Sequence, residues 1–371
     1  MLHARRLLNA VLRTPLFTAL ATPHDIDGYL RMLDRTWSAR HVRARLVAIR
    51  RETDDAVSLW LLPNENWRGF RAGQFVQLSV WVGGIRHTRC YSISSAPEDG
   101  LPLRLTLEVQ PIGRVSSAWL RQAREGDVVE LSPALGDFVL PEPAPARLLF
   151  VSGGSGITPL LSMSRHLNAT GYAGRLAWVH YARRAVILGD ELRELARRQP
   201  GLQLDVRLTE PARSEGAPAP RLSGERLDAL VPDWEGHEAF ACGPASLLGS
   251  VASVWHERAA GGRLHVERFD AGADASPSRS TPWSTETPYR LVFARSGREA
   301  RGHGRASLLA QAEAAGLQPR HGCRIGICHR CRCVKRAGVV RNELTGVLDD
   351  EPDKAIQLCI TTPCSDVILE L

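Results

Sequence analysis

The sequence predicts a multidomain protein in three parts: an antiparallel β-barrel, an α/β domain built on a parallel sheet, and a smaller α+β unit. Length is the first observation, since 371 residues is about two to three times an ordinary domain. The second is a change of rhythm. Short β-type runs punctuated by Gly and Pro fill residues 42–140, and strands alternating with helical stretches follow a Pro-bearing bridge at 140–146. The third is a cysteine-rich loop near the end of the chain, behind a small polar stretch without apolar period.

Composition fits a soluble globular protein, with 44% hydrophobic and 23% charged residues, and excludes disordered and fibrous classes. The net charge of +7 is uneven: residues 1–50 hold 9 Arg against 3 Asp, and the last segment, 287–371, holds 13 basic against 9 acidic residues. Basic ends suit an anionic membrane surface or an acidic partner. No aromatic-interleaved basic patch of the nucleic-acid-binding kind stands out. Cys323, Cys328, Cys331, Cys333 and Cys359 crowd into the last fifth of the chain, a usage expected for metal or redox work in a reducing compartment, so a cytoplasmic setting is expected.

Residues 1–38 form a helical extension. Leu7, Leu8, Val11 and Leu12 recur at helical spacing with Arg5, Arg6 and Arg13 around them, which allows two readings: a helix packed on the protein's own body, or one lying on the inner face of a membrane or on a partner. Asn9, Arg13 and Pro15 interrupt the apolar run, leaving it too short to span a bilayer. Residues 39–143 give the barrel, with strands expected at 42–50, 56–62, 74–82, 87–94, 103–110 and 128–131. In residues 144–270 the strands at 147–152, 176–181, 202–208 and 238–241 are separated by helical segments, which implies a parallel sheet with crossover helices. Residues 271–286 read as a linker. Residues 287–371 then open with a strand at 289–294, continue with a helix at 307–315 and close with a strand at 366–371.

The strongest local signal is Cys323-Arg-Ile-Gly-Ile-Cys328-His-Arg-Cys331 with the remote Cys359. This is the C-x4-C-x2-C…C spacing of plant-type [2Fe–2S] ferredoxins. Gly322 and Gly326 fall where a tight loop turns its N–H groups inward. Structural zinc sites bring two close cysteine pairs, whereas here three ligands cluster and one is distant, so the cluster is the better reading. Cys333 and Cys364 lie outside the spacing and are expected to be buried side chains.

With its helix Leu308-Leu309…Ala312-Glu313…Gly316, the segment from Tyr289 to Leu371 resembles the ferredoxin domain of the ferredoxin reductase family of iron–sulfur flavoproteins, which implies a β-grasp fold there. Its ring of basic residues (Arg320, Arg324, Arg330, Arg332, Lys335, Arg336) departs from the acidic habit of those ferredoxins. In the barrel, Arg89-Cys90-Tyr91-Ser92 resembles the Arg-x-Tyr-Ser flavin motif of the ferredoxin–NADP reductase superfamily, and the likeness implies an FAD domain. Arg89 would grip the flavin phosphates, the Tyr91 ring would lie against the isoalloxazine, and the Ser92 hydroxyl would sit near its N5. Gly113-Arg-Val115-Ser116-Ser117 suits a phosphate at a helix N-terminus. In the family this second motif holds the pyrophosphate, which favours FAD over FMN.

Val151-Ser-Gly153-Gly154-Ser-Gly156-Ile-Thr158-Pro159 follows an apolar strand and precedes a helical stretch, a context in which backbone donors and a helix end can meet a dinucleotide pyrophosphate. It resembles the superfamily's Gly-x-Gly-x-x-Pro turn, and Cys242-Gly243-Pro244 resembles its second nicotinamide-side motif. Cys242 is expected to wall the nicotinamide pocket and, with Tyr91 and Ser92, to stand at the reacting centre. Phe269 either lies beside the flavin ring or is a core residue. No acid occupies the end of the second strand, His180-Tyr181-Ala182-Arg183-Arg184. Arg183 and Arg184 therefore favour NADPH over NADH.

Together the three modules imply a one-chain electron relay from NAD(P)H through FAD and a [2Fe–2S] cluster to an outside acceptor. The module order, the basic extension and the stretch Thr22-Pro23-His24…Asp27-Gly-Tyr29-Leu with Trp37 resemble the reductases of bacterial membrane fatty-acyl desaturases, which makes a desaturase the first expectation for the acceptor. A soluble aromatic-ring oxygenase is the second. A redox-sensing regulatory protein is the rival of a different class, and it leaves the two nucleotide-type turns unexplained.

Overall fold

The computed structural model describes residues 5, 8, 9, 11, 12, 14, 26–109, 117, 119–210, 220–258, 263–269, 288–304, 306–321, 326, 330–343 and 347–371. The linker expected at 271–286 lies outside them. The chain divides into two compact units, Met1–Phe269 and Asp270–Leu371.

In the first unit a short helix, α1 (Ile26–Leu33), precedes six strands: β1 (Val42–Thr53), β2 (Ala56–Pro63), β3 (Phe75–Val82), β4 (Ile85–Ser92), β5 (Leu103–Glu108) and β6 (Val128–Leu131). They form one antiparallel sheet in the order β4-β3-β6-β1-β2-β5. Its two edges meet where Ile93 bridges Leu105 and the Ser94 N–H donates to the Arg104 carbonyl at 2.8 Å, so the sheet closes into a barrel and loses its open edges. Alternating residues such as Leu46, Leu59, Leu61, Leu78, Leu103, Leu105 and Leu131 fill the interior. The N-terminal residues are tied to the barrel by polar contacts. Asn9 Nδ2 donates to Glu65 Oε1 at 2.8 Å, and Asp27 in α1 accepts from the Ser38 hydroxyl at 2.5 Å and the Ala39 N–H at 2.6 Å. Residues 8, 9, 11 and 12 are helical, and Leu12 packs on Ile26, Leu30 and Ala39. Of the two readings of this segment, packing on the protein's own body is the one these contacts display.

The second sheet of this unit is parallel: β7 (Arg147–Gly153), β8 (Arg175–Ala182), β9 (Leu202–Leu208), β10 (Glu238–Gly243) and β11 (Leu264–Arg268), in the order β11-β10-β7-β8-β9. The continuous apolar runs in these strands are explained by burial on both faces. Leu148, Phe150, Trp178 and Phe240 face α2 (Ile157–Ala169) and α3 (Gly189–Arg198), while Leu149, Val151, Val179 and Ala241 face α4 (Gly224–Leu230) and α5 (Ala245–Glu257). Ala56, Ala72, Phe138 and Leu140 from the barrel side join the first of these cores. Strand β11 was not foreseen, because the apolar–polar alternation of Leu-His-Val-Glu-Arg runs over only four residues.

The second unit holds a mixed sheet in the order β13-β12-β19-β14-β17, from β12 (Tyr289–Phe293), β13 (Arg298–Gly302), β14 (Arg332–Ala337), β17 (Lys354–Gln357) and β19 (Val367–Leu369). A small sheet of β15 (Val340–Asn342), β16 (Leu348–Asp349) and β18 (Thr361–Pro363) stands beside it. First and last strands, β12 and β19, run parallel, and helix α6 (Leu308–Ala314) buries Leu308, Leu309 and Ala312 against Leu291, Phe293, Val367 and Leu369. This is the α+β, β-grasp arrangement that was expected. The Ser307 hydroxyl caps α6 by accepting from the Ala310 N–H at 3.3 Å, as a residue before a helix commonly does.

Lys335 in β14 is completely buried, and its ammonium donates to the carbonyls of Gly338 (2.9 Å), Asp349 (3.3 Å) and Glu351 (2.8 Å), with Asp349 Oδ1 also at 3.3 Å. Lys335→Met removes every donor from this cage. It is expected to destabilise the C-terminal unit by about 2–4 kcal/mol, as buried acceptors left unsatisfied do, read as a lower denaturant midpoint for that unit with the first unit's transition unmoved.

Candidate functional site

The flavin-type motif lies on β4, opposite β3 in the register Phe75↔Ser92, Val76↔Tyr91 and Leu78↔Arg89. Arg89 is exposed, and its Nη1 donates to the Thr88 carbonyl at 2.8 Å. Tyr91 is half-buried, with its phenol pushed up in pKa by burial. Ser92 is buried, and its hydroxyl points at Glu267 Oε2, 3.5 Å away. Of the second motif, Gly113, Val115 and Ser116 lie outside the described residues, and Ser117 is buried.

Glu267 was missed by sequence reasoning. It sits in β11, 5% exposed, and no local pattern announces it, since Val-Glu-Arg reads as a surface strand. Burial pushes its carboxyl up to about 8, and the Ser92 hydroxyl only partly opposes this. The folded protein therefore holds a proton on Glu267 that the unfolded chain releases near its ordinary value. Stability falls as pH rises from about 4.5 to about 8 and levels above that. Glu267→Gln is expected to flatten this decline, so that variant and wild-type melting temperatures converge at pH 5 and separate, variant higher, at pH 8.5. Parallel curves would refute the assignment.

The nicotinamide-type motifs meet at the carboxyl ends of β7 and β10. These neighbours are the strands from which the chain departs in opposite directions along the sheet, the position where open α/β sheets place ligands. Close approach here demands glycine. A Cβ on Gly156 would stand 2.1 Å from the Cys242 carbonyl oxygen, one on Gly153 2.8 Å from Leu247 Cδ2, and one on Gly243 2.9 Å from the Gly153 nitrogen. Gly154 takes a positive φ of 54°, and the atom nearest its missing side chain is Glu108 Oε2 at 3.7 Å. The Ser155 hydroxyl donates to that same Glu108 carboxylate at 2.8 Å. Thr158 and Pro159 are buried in the first turn of α2, and the Thr158 hydroxyl donates to the Ser155 carbonyl at 2.9 Å. Cys242 is wholly buried, and Pro244 precedes α5. Phe269 is half-buried and packs on the core shared by the barrel and the parallel sheet.

Arg183 and Arg184 are exposed just beyond β8. Sequence alone finds no acid at that strand end, but the fold supplies one from β9's side: the Glu210 N–H donates to the Arg183 carbonyl at 2.8 Å, and Glu210 Oε2 lies 3.4 Å from Arg184 Nη2. Parallel pairing of β8 with β9 brings the two strand ends together. Linear spacing cannot show that.

In the C-terminal unit, Cys331 and Cys359 converge with their Sγ atoms 3.2 Å apart. The separation is far beyond a disulfide at about 2.05 Å and near the roughly 3.7 Å of two thiolates on one tetrahedral metal at about 2.3 Å each. Gly326 has a positive φ of 83°, and its carbonyl accepts from Gln357 Nε2, which ties the loop to the strand before Cys359. Cys323 and Cys328 lie outside the described residues; among the described residues no three His, Cys, Asp or Glu side chains group to hold a metal. Cys333 is buried, and burial pushes its thiol up to about 11.

Residues 150–253 match the family model for the oxidoreductase NAD-binding domain. The chain is 35% identical over 375 residues to an NADPH oxidoreductase of Mycobacterium tuberculosis, an alignment that covers 100% of this chain and 92% of that protein. It is 30% identical over 358 residues to the glycine betaine monooxygenase reductase subunit of Chromohalobacter salexigens, covering 91% and 97% respectively. Phthalate dioxygenase reductase, described as a modular structure for electron transfer from pyridine nucleotides to [2Fe–2S], shares the fold with a TM-score of 0.61 over 89% of this chain and 98% of that one, at 22% identity. The fold and site thus define a modular pyridine-nucleotide oxidoreductase. The chain belongs to the ferredoxin reductase family of FAD- and NAD(P)H-binding oxidoreductases that carry a [2Fe–2S] domain. Among the described residues, no helix is long and apolar enough to cross a membrane.

Proposed function

We propose that this protein is the reductase component of an oxygenase system, taking electrons from NADPH and delivering them to a separate oxygen-activating iron protein. When bound, the cofactors would accept two electrons as one hydride from the nicotinamide and release them one at a time. The chain's part is to hold and align them. Arg89, which is exposed, offers its guanidinium to the flavin phosphates, while the Tyr91 ring covers the isoalloxazine. Ser92 and the protonated Glu267 form the polar wall at the flavin's reacting edge. Gly113, Val115, Ser116 and Ser117 receive the FAD pyrophosphate. Gly154, Gly156, Thr158 and Pro159 present backbone donors and the α2 N-terminus to the nucleotide pyrophosphate, Cys242, Gly243 and Pro244 line the nicotinamide side, and Phe269 stands next to the flavin. Cys323, Cys328, Cys331 and Cys359 hold the cluster.

The observation that carries this reading is the meeting of the Gly153–Gly156 turn with Cys242-Gly243 at the sheet's switch point, in one unit with the β4 motif. Arg183 and Arg184 support NADPH, as does the name of the mycobacterial relative, while Glu210 beside Arg184 opposes it. A ratio of kcat/KM for NADPH over NADH above about 10, falling towards 1 in Arg183→Ala/Arg184→Ala, is the expected result. For the acceptor, the names of the relatives, reductase subunits of glycine betaine and ketosteroid monooxygenases among them, favour an oxygenase over the desaturase suggested by the N-terminal stretch. NADPH-dependent turnover of a purified iron oxygenase component on adding this protein tests that choice. Transfer confined to membrane fractions, with anionic-vesicle binding that needs residues 1–38, would restore the desaturase.

A further inference from the structure

One cluster of polar contacts between the barrel and the parallel-sheet module centres on a single carboxylate, Glu191 in α3. Its Oε2 accepts from Arg104 Nη1 at 2.5 Å and its Oε1 from Arg104 Nη2 at 3.0 Å, and Arg165 Nη1 in α2 also donates to Oε1. Arg104 belongs to β5 and is 7% exposed. Its other donors go to the chain immediately after Tyr91-Ser92: Nη2 to the Ser94 carbonyl at 2.9 Å, Nε to the Ser94 hydroxyl at 3.1 Å, and the backbone N–H to the Ser95 hydroxyl at 3.1 Å. Arg165 extends the network by donating to Asp99 Oδ2 from Nη2 at 2.7 Å and from Nε at 3.0 Å. In parallel, the Ser162 hydroxyl in α2 donates to the Ser95 carbonyl at 2.7 Å.

The apolar core shared by the two modules resists separation but not sliding, because apolar contact has no direction. A two-point guanidinium–carboxylate contact does have direction. Here it runs from a helix of the nicotinamide-side module, through one side chain, to the residue two places from Ser92. Burial alone would raise the Glu191 carboxyl, yet the bonds from Arg104 and Arg165 outweigh it and hold the group below its ordinary value, so the network stays charged across the working pH range. We propose that Glu191 is a positioning residue for hydride transfer: through Arg104 it fixes the register of the nicotinamide-binding module against the flavin strand. The proposal rests on the reading of β4 and the Gly153–Gly156 turn given above.

The test is anaerobic stopped-flow mixing of full-length, FAD-loaded protein with NADPH. Reaction is sensitive to misplacement on the order of 1 Å, which costs about 100-fold. Glu191→Gln is therefore expected to slow flavin reduction at saturating NADPH by about 10- to 100-fold and to weaken the long-wavelength nicotinamide–flavin charge-transfer band. Half-saturation for NADPH should stay within about threefold, because groups that touch the nucleotide are intact. Arg104→Lys keeps the charge but loses the second contact, so it should fall between wild type and Glu191→Gln; this variant carries the test if Glu191→Gln does not fold. Wild-type reduction rates and an unchanged charge-transfer band in both variants, with only a lower Tm, would overturn the proposal and leave a structural ion pair. Failure of the wild type to bleach with NADPH would instead overturn the flavin and nicotinamide reading itself.

Discussion

Cys359→Ala is expected to abolish electron delivery to one-electron protein acceptors while leaving the flavin reducible by NADPH. Cys359 and Cys331 approach to 3.2 Å between sulfurs, so on the proposed ligand set the loss of Cys359 removes the remote member that closes the cage around the three loop cysteines. Even outer-shell partners of metal ligands cost about 10- to 100-fold in affinity when lost, and a ligand itself should cost more. The prediction is a fall of more than about 100-fold in NADPH–cytochrome c reductase activity, with ferricyanide reduction by the flavin retained and iron content down to the blank. Cys333→Ala, which removes a buried thiol off the spacing, should keep its iron.

Gly156→Ala is expected to stop NADPH from reducing the protein although FAD and cluster remain in place. Its new methyl group would lie 2.1 Å from the Cys242 carbonyl oxygen, 2.4 Å from the carbonyl carbon and 2.7 Å from the Gly243 Cα. All three are backbone atoms of β10, so the clash cannot be relieved by a rotamer change, and the turn must part from the strand end. That separation spoils the two motifs proposed to hold the nucleotide, with an expected loss of roughly 100-fold or more in flavin reduction by NADPH. Dithionite should still bleach both chromophores, which separates a lost nucleotide site from a lost cofactor. A variant at Gly249, where a Cβ meets nothing within 4 Å, should behave as wild type.

Much of this architecture is readable from the chain because local chemistry dictates it. Strands β6 and β9 match the expected limits, the cysteine spacing is that of plant-type [2Fe–2S] loops, and the glycines at 156 and 243 are demanded by close backbone approach. The features that escaped reading are those made by pairing distant segments. Arg104 meets Glu191 across 87 positions, Ser92 meets Glu267 across 175, and Glu210 reaches Arg184 only because β8 and β9 lie side by side. Arg104, Glu191, Glu210 and Glu267 read alone as ordinary surface charges. Strands β13 and β14 escaped for a related reason: Arg-Glu-Ala-Arg-Gly and Arg-Cys-Val-Lys-Arg-Ala have polar compositions, and only hairpin and sheet pairing, with the caged Lys335, makes them strands.

The relay itself is tested most directly by anaerobic titration of the purified, full-length protein with NADPH, followed by visible absorption and low-temperature EPR together with metal analysis. The account predicts two irons and one FAD per chain, bleaching of flavin and iron–sulfur bands in the same titration, and an EPR signal from a reduced [2Fe–2S] centre that is absent in Cys359→Ala. Zinc in place of iron, or a flavin that bleaches while no paramagnetic cluster ever forms, would contradict it.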